Sequence, residues 1–241
     1  MEPFLTQPNA PTTRRGFFKR ASLGVGVLAS ASALQACDSD DNSSGADVTL
    51  NFSSDTGVLN YAYALEQLEA AFYARVVALP NFATLFSGTA LSAGGQSEQA
   101  ILRDLAAHEA IHAQFLARAL GNDAIPALTV DFSSVDFASR TAILTAARTF
   151  EDLGVAAYNG AGKYLTSVDN LVLAGKIVSV EARHAAAIRD LFDPFSRLSV
   201  DSRDPARPSF DTGLEPSAVL AAADPFITET IAVTGIPTVA N

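Results

Sequence analysis

Apolar residues recur every third or fourth position over four long stretches, residues 56–79, 97–120, 134–165 and 168–192, and each pattern predicts an amphipathic helix. Boundary residues agree with these limits. Asp55 stands as a cap before the first helix and Pro80 just beyond it. Ser97 opens the second helix, Gly121 closes it, and Asp193-Pro194 stops the fourth. The third is weakened in its second half by Gly154, Gly160 and Gly162. Its connection to the fourth is tight, around Thr166-Ser167. Between the second and third helices lies a longer segment, 121–133, with Pro126 and an extended-looking run from Leu128 to Phe132. A long connection in the middle is what a four-helix bundle with one crossover requires. The loop 80–96 is also long, and could cover one end of the bundle. Past Pro194 the chain is proline-punctuated and only 217–223 has helical character, which predicts an irregular tail packed on the bundle.

Within those helices the polar exceptions form a pattern. Two of the chain's three histidines end Glu-x-x-His pairs, Glu109/His112 and Glu181/His184. The helix before each carries a glutamate with a tyrosine seven residues on, Glu66/Tyr73 and Glu151/Tyr158. A weak internal repeat results, with Leu65-Glu66-Gln67-Leu68 matching Phe150-Glu151-Asp152-Leu153, and the surroundings of Glu109 matching those of Glu181. Positions three apart share a helix face, so each Glu and its His can reach one point. All four glutamates sit near mid-helix, at a common height in an antiparallel bundle.

Their neighbours are apolar: Leu102, Leu105 and Leu116 around Glu109, Ile177 and Ile188 around Glu181. A buried unpaired carboxylate costs several kcal/mol, so four together demand counter-charge, and two divalent cations would cancel them. Oxygen donors with one imidazole per metal point to iron or manganese. In this scheme Glu66 and Glu151 are the ligands of the first and third helices, and Glu109 and Glu181 could bridge, each with its own histidine, His112 or His184, as a terminal ligand. Alternatives stay open at two places. Glu69 shares a face with Glu66 and could replace it, and Glu151 could form an ordinary intrahelical pair with Arg148. His108 has no counterpart in the repeat and is expected beside the ligands or partly exposed rather than as a ligand; Tyr73 and Tyr158 are either hydrogen-bond partners of the ligand carboxylates or plain core aromatics.

Composition adds an address and an exclusion. Apolar residues make up 49% of 241, enough for one sizeable core, and tryptophan is absent. Arg14, Arg15, Lys19 and Arg20 face only Glu2 in the first 36 residues, a net +3, so with −10 for the whole chain the remainder carries −13. Such acidity argues against nucleic acid as a partner. Thr13-Arg14-Arg15-Gly16-Phe17-Phe18-Lys19 resembles the twin-arginine export motif and leads into a mild apolar stretch too short and weak for a membrane span. Residues 1–36 are therefore expected to be a signal peptide and the protein periplasmic or held at the cell envelope. Two cleavage outcomes are open. Leu34-Gln35-Ala36-Cys37 resembles a lipoprotein box, which would tether the protein to a membrane through lipidated Cys37, the only cysteine. Ala31-Ser32-Ala33 offers an ordinary site instead. Residues 37–54 are expected to be a flexible tether, 55–193 the bundle and 194–241 the tail.

With these residues in view, the chain resembles the ferritin-like superfamily of dinuclear carboxylate proteins. The likeness is to an exported bacterial branch related to plant desiccation-associated proteins, carried by Gly57-Val58-Leu59-Asn60-Tyr61 and by the run from Leu65 to Tyr73. It spans about residues 55–194. It implies an all-α ferritin-like four-helix bundle with two Fe or two Mn ions on Glu66, Glu109, His112, Glu151, Glu181 and His184. Activities implied are iron oxidation and storage, peroxide reduction, catalase chemistry and oxygen activation. A rubrerythrin-type electron-transfer domain would need four cysteines, and a storage cage fits poorly with an exported, tethered chain. The expectation is redox chemistry on peroxide or oxygen. Its alternative is a non-catalytic metal-binding or stress-protective bundle.

Overall fold

The computed structural model describes residues 47–88, 97–192 and 210–237. The twin-arginine motif, Cys37 and most of the expected tether lie outside the described residues. In chain order the elements are β1 (Val48–Asn51), α1 (Asp55–Val77), the short α2 (Phe82–Leu85), α3 (Glu98–Leu120), α4 (Arg140–Ala161), α5 (Val168–Phe192), α6 (Pro216–Ala223) and β2 (Ile231–Thr234).

Four long helices, α1, α3, α4 and α5, make the bundle. α1 packs chiefly on α3 and α4 on α5, and the two hairpins meet along α1 and α4. The segment from Gly121 to Ser139 runs the length of α1. Asn60 near the start of α1 bonds the carbonyl of Asp123 and the amide of Ile125, and Gln67 bonds Pro126 and Leu128. Further along, Phe132 packs edge-on to Phe72, and the Arg75 guanidinium lies 4.0 Å over the Phe137 ring. The crossover thus delivers α4 to the far end of the bundle, antiparallel to α1. Phe72 meeting Phe150 and Asp55 meeting the turn before α5 are the two ends of that alignment.

Several boundaries differ from the sequence reading. α4 begins at Arg140, not at 134, because the Asp131 and Asp136 carboxylates take the amides of Ser133 and Ala138 in local turns that compete with helix. Ser139 then caps α4 through the Ala142 amide. Asp55, expected to cap α1, accepts hydrogen bonds from Thr166, Ser167 and Asn170 at the start of α5 instead. Burial alone would raise its carboxyl, but those donors outweigh it and hold the group below its usual value.

Both expected flanks carry more order than anticipated. Residues 37–54 were assigned to a tether, yet Val48 and Leu50 are buried and β1 pairs in parallel with β2 from the tail. The partner lies far away in sequence, so local patterning could not announce it. In the tail, α6 packs on α4, and Gly160 lets the backbone at Leu214 lie directly on that helix, where Leu214 donates to the Ala156 carbonyl. Glu215 accepts from Tyr164 at 2.6 Å and pairs with Lys163. The same segment covers the crossover through bonds between Asp131 and Phe226 and between Thr228 and Thr129.

Candidate metal centre

The bundle axis is where the polar exceptions meet. Glu66 comes from α1, Glu109 and His112 from α3, Glu151 from α4, and Glu181 and His184 from α5. All four carboxylates are fully buried, His184 nearly so, and His112 keeps 12% exposure. The His112 Nδ1 lies 2.8 Å from Glu181, 3.3 Å from Glu109 and 3.4 Å from Glu66. The His184 Nδ1 lies 2.6 Å from Glu109 and 3.6 Å from both Glu151 and Glu181. Donor atoms thus fall into two overlapping groups, each within 4.8 Å: Glu66, Glu109, His112 and Glu181, then Glu109, Glu151, Glu181 and His184. Glu109 and Glu181 belong to both.

Tyrosines set the outer carboxylates, in a crossed arrangement. Tyr73 of α1 donates to Glu151 of α4 at 2.6 Å, and Tyr158 of α4 donates to Glu66 of α1 at 2.6 Å. Each tyrosine serves the opposite helix because α1 and α4 run antiparallel, so a residue two turns beyond one glutamate approaches the other. Arg148 does not hold Glu151; it lies 3.6 Å from Asp152, which also pairs with the buried Arg189. His108 is exposed, yet its Nδ1 is 2.9 Å from the His184 Nε2, with the rings stacked at 5.1 Å. A donor bond from His184 there leaves its Nδ1 lone pair facing inward.

Glu69 is the residue whose burial sequence reasoning missed. It shares a face with Glu66, and the structure buries both. Only Glu66 enters the donor groups. The Glu69 carboxylate lies against Gly154, where a Cβ would sit 2.8 Å from it. The one sequence signal was that glycine, one helix turn past Glu151. Glu98 is likewise buried, held by Arg140, which also reaches the Leu191 carbonyl and ties three helix ends together.

So much buried negative charge gathers protons. Burial pushes Glu66, Glu69 and Glu151 well above the usual carboxylate range, and the neighbouring carboxylates add to it. Burial opposes charge on the histidines too, but the carboxylates beside them win. His112 is pushed up to about 12 by Glu109, Glu181 and Glu66, and His184 to about 10 by Glu109, Glu181 and Glu151. In return the two imidazoliums outweigh burial at Glu109 and hold it down to about 2. His108 moves the other way, lowered by burial and by His184.

The donor set fits metal ions on a direct observation. Among the described residues, most buried side-chain donors and acceptors without a well-formed hydrogen bond belong to this cluster: one oxygen each of Glu66, Glu109 and Glu151, both of Glu181, and the His184 Nδ1, several of them meeting only as close ion pairs with one another. Groups so placed cost about 1–3 kcal/mol each unless something satisfies them. Cations on the axis would satisfy all of them at once.

Fold and site together define a four-helix bundle with a buried carboxylate–histidine cluster able to hold metal. The chain belongs to the ferritin-like domain family, whose model matches residues 54–194. No curated protein matches the chain.

Proposed function

We propose that this is an exported metalloprotein that binds two iron or two manganese ions in the axial cluster and performs redox chemistry on peroxide or dioxygen. The observation that carries the reading is the convergence, on one axis, of buried donor atoms from four helices whose hydrogen bonding is incomplete. Glu109 and Glu181, common to both donor groups, would bridge; Glu66 with His112 and Glu151 with His184 would complete the two ends. Ions held there would supply reversible electron transfer and Lewis acidity. Tyr158 and Tyr73 fix Glu66 and Glu151 by one oxygen each, which leaves the second to face the axis. Burial, and then the neighbouring carboxylates, push the Glu69 carboxyl beside the centre well above the usual carboxylate range. Leu102, Leu105, Ile177 and Ile188, on the helices that carry the ligands, are buried and apolar.

Metal analysis of gently purified protein tests the reading, with an expectation of about two equivalents of Fe or Mn per chain, as the paired donor groups require. Less than one equivalent overturns it. Oxygen release or reductant consumption on adding hydrogen peroxide separates a catalyst from a non-catalytic, stress-protective bundle that binds metal and turns nothing over. Export rests on the Arg14-Arg15 motif, and replacing both with lysine should leave the protein in the cytoplasm.

A further inference from the structure

A small cavity lies beside the donor cluster, between the first half of α1, the second half of α4 and the start of α5. Val58, Leu65, Ala157, Tyr158, Gly162 and Ala174 are among its walls, and no polar atom is accessible within it. Its volume is about 20 Å³. About 10–15 Å³ suffices for a single water, but a water also needs two to four polar partners, and an apolar cavity of this kind stays dry. The space therefore suits a guest slightly larger than water that asks for no hydrogen bonds. Hydrogen peroxide fails that condition; dioxygen meets it.

Both ends of the cavity are informative. At the inner end stands Tyr158, whose side chain forms part of the wall while its hydroxyl bonds Glu66. Tyr158 thus belongs both to the cavity wall and to the immediate surroundings of Glu66. At the outer end are Gly162 and Leu165, at the turn into α5. Leu171 comes within 3.9 Å of where a Cβ at Gly162 would be, and it is exposed together with Val168 and Val172. These three give the mouth an apolar apron where a gas partitions more readily than a polar solute.

We propose that this cavity is a dioxygen-binding site on the route to the metal centre, and that the small side chain of Ala157 keeps it open. The proposal rests on the metal reading above and narrows its oxidant to dioxygen. The test compares the full chain with its Ala157→Leu variant. Crystals of each are pressurised with xenon, and each protein is loaded with iron(II) and mixed with dioxygen or hydrogen peroxide. Xenon should occupy the cavity in the unaltered protein and be missing from the variant. Iron(II) stoichiometry should not change. Oxidation by dioxygen should slow by about tenfold or more when the path is blocked, while oxidation by peroxide changes less than about twofold. Where Ala157→Leu does not fold, Ala174→Val narrows the opposite wall, with helix content checked by circular dichroism. Absence of xenon from the unaltered protein overturns the proposal, as does equal slowing, or no slowing, with both oxidants. An unaltered protein that binds no iron refutes the metal reading instead, and xenon occupancy still decides the cavity.

Discussion

Loading metal into the axial cluster should expel protons, and the structure says which. His184 and His112, raised to about 10 and about 12, are imidazolium at neutral pH, and neither can ligate while protonated on Nδ1. Glu66 and Glu151, pushed up by burial, add two more acidic protons wherever their raised values exceed the working pH. Binding a pair of divalent ions should therefore release at least about two and at most about four protons. Each proton released makes the overall binding constant rise about tenfold per pH unit, so loading should strengthen about 100-fold or more per unit. Without metal the linkage has the opposite sign. The histidines' folded values lie above their unfolded ones, so the stability they contribute is complete below about pH 6.5 and lost as pH rises through about 10 and then about 12. Glu109, depressed to about 2, contributes stability above the usual carboxylate value that disappears as pH falls through about 2. Titration calorimetry with manganese(II) in two buffers of different ionisation enthalpy counts the protons directly. Release of fewer than one, or affinity flat between pH 6 and 8, would refute the reasoning.

Because Glu109 and Glu181 belong to both donor groups, changing either to alanine should remove both ions, whereas His112→Ala should remove one, as read by metal analysis. His108→Leu takes away the partner of the His184 Nε2 and should weaken metal affinity by about 10–100-fold in a chelator competition, with His108→Gln restoring most of it. Glu69→Gln should leave two ions bound; loss of one would make Glu69 a ligand after all. Gly160→Ala puts a methyl where the Leu214 backbone lies and should cost about 1–3 kcal/mol, seen as a lower thermal midpoint by circular dichroism.

The long helices were legible because their apolar spacing is local and their ends carry Ser97, Gly121 and Pro194. Glu66, Glu109, Glu151 and Glu181 stood out because a carboxylate in an apolar stripe has no ordinary reason to be there, and because two of the few histidines share its face. What escaped depends on contacts distant in sequence. The crossed bonds of Tyr73 and Tyr158 follow from the antiparallel course of α1 and α4, which one helix cannot reveal. Glu98 reads as a first-turn acid after its cap, and only Arg140 from another helix explains its burial. The start of α4 was misplaced by six residues because side chains of Asp131 and Asp136 compete with helix inside an otherwise periodic stretch.

The parallel pairing of β1 with β2 has a bearing on biosynthesis. Val48 meets Ile231, a partner 183 positions later, so the first strand leaves the ribosome long before anything can complete its ladder. Val48 and Leu50 must wait, uncovered, while the helices form, and an open strand edge is a place where nascent chains stick to one another. A nick or truncation near residue 231 would return the finished molecule to that state and loosen both flanks together. Fusion partners and affinity tags appended close to either strand should therefore be judged by how they disturb this late clasp.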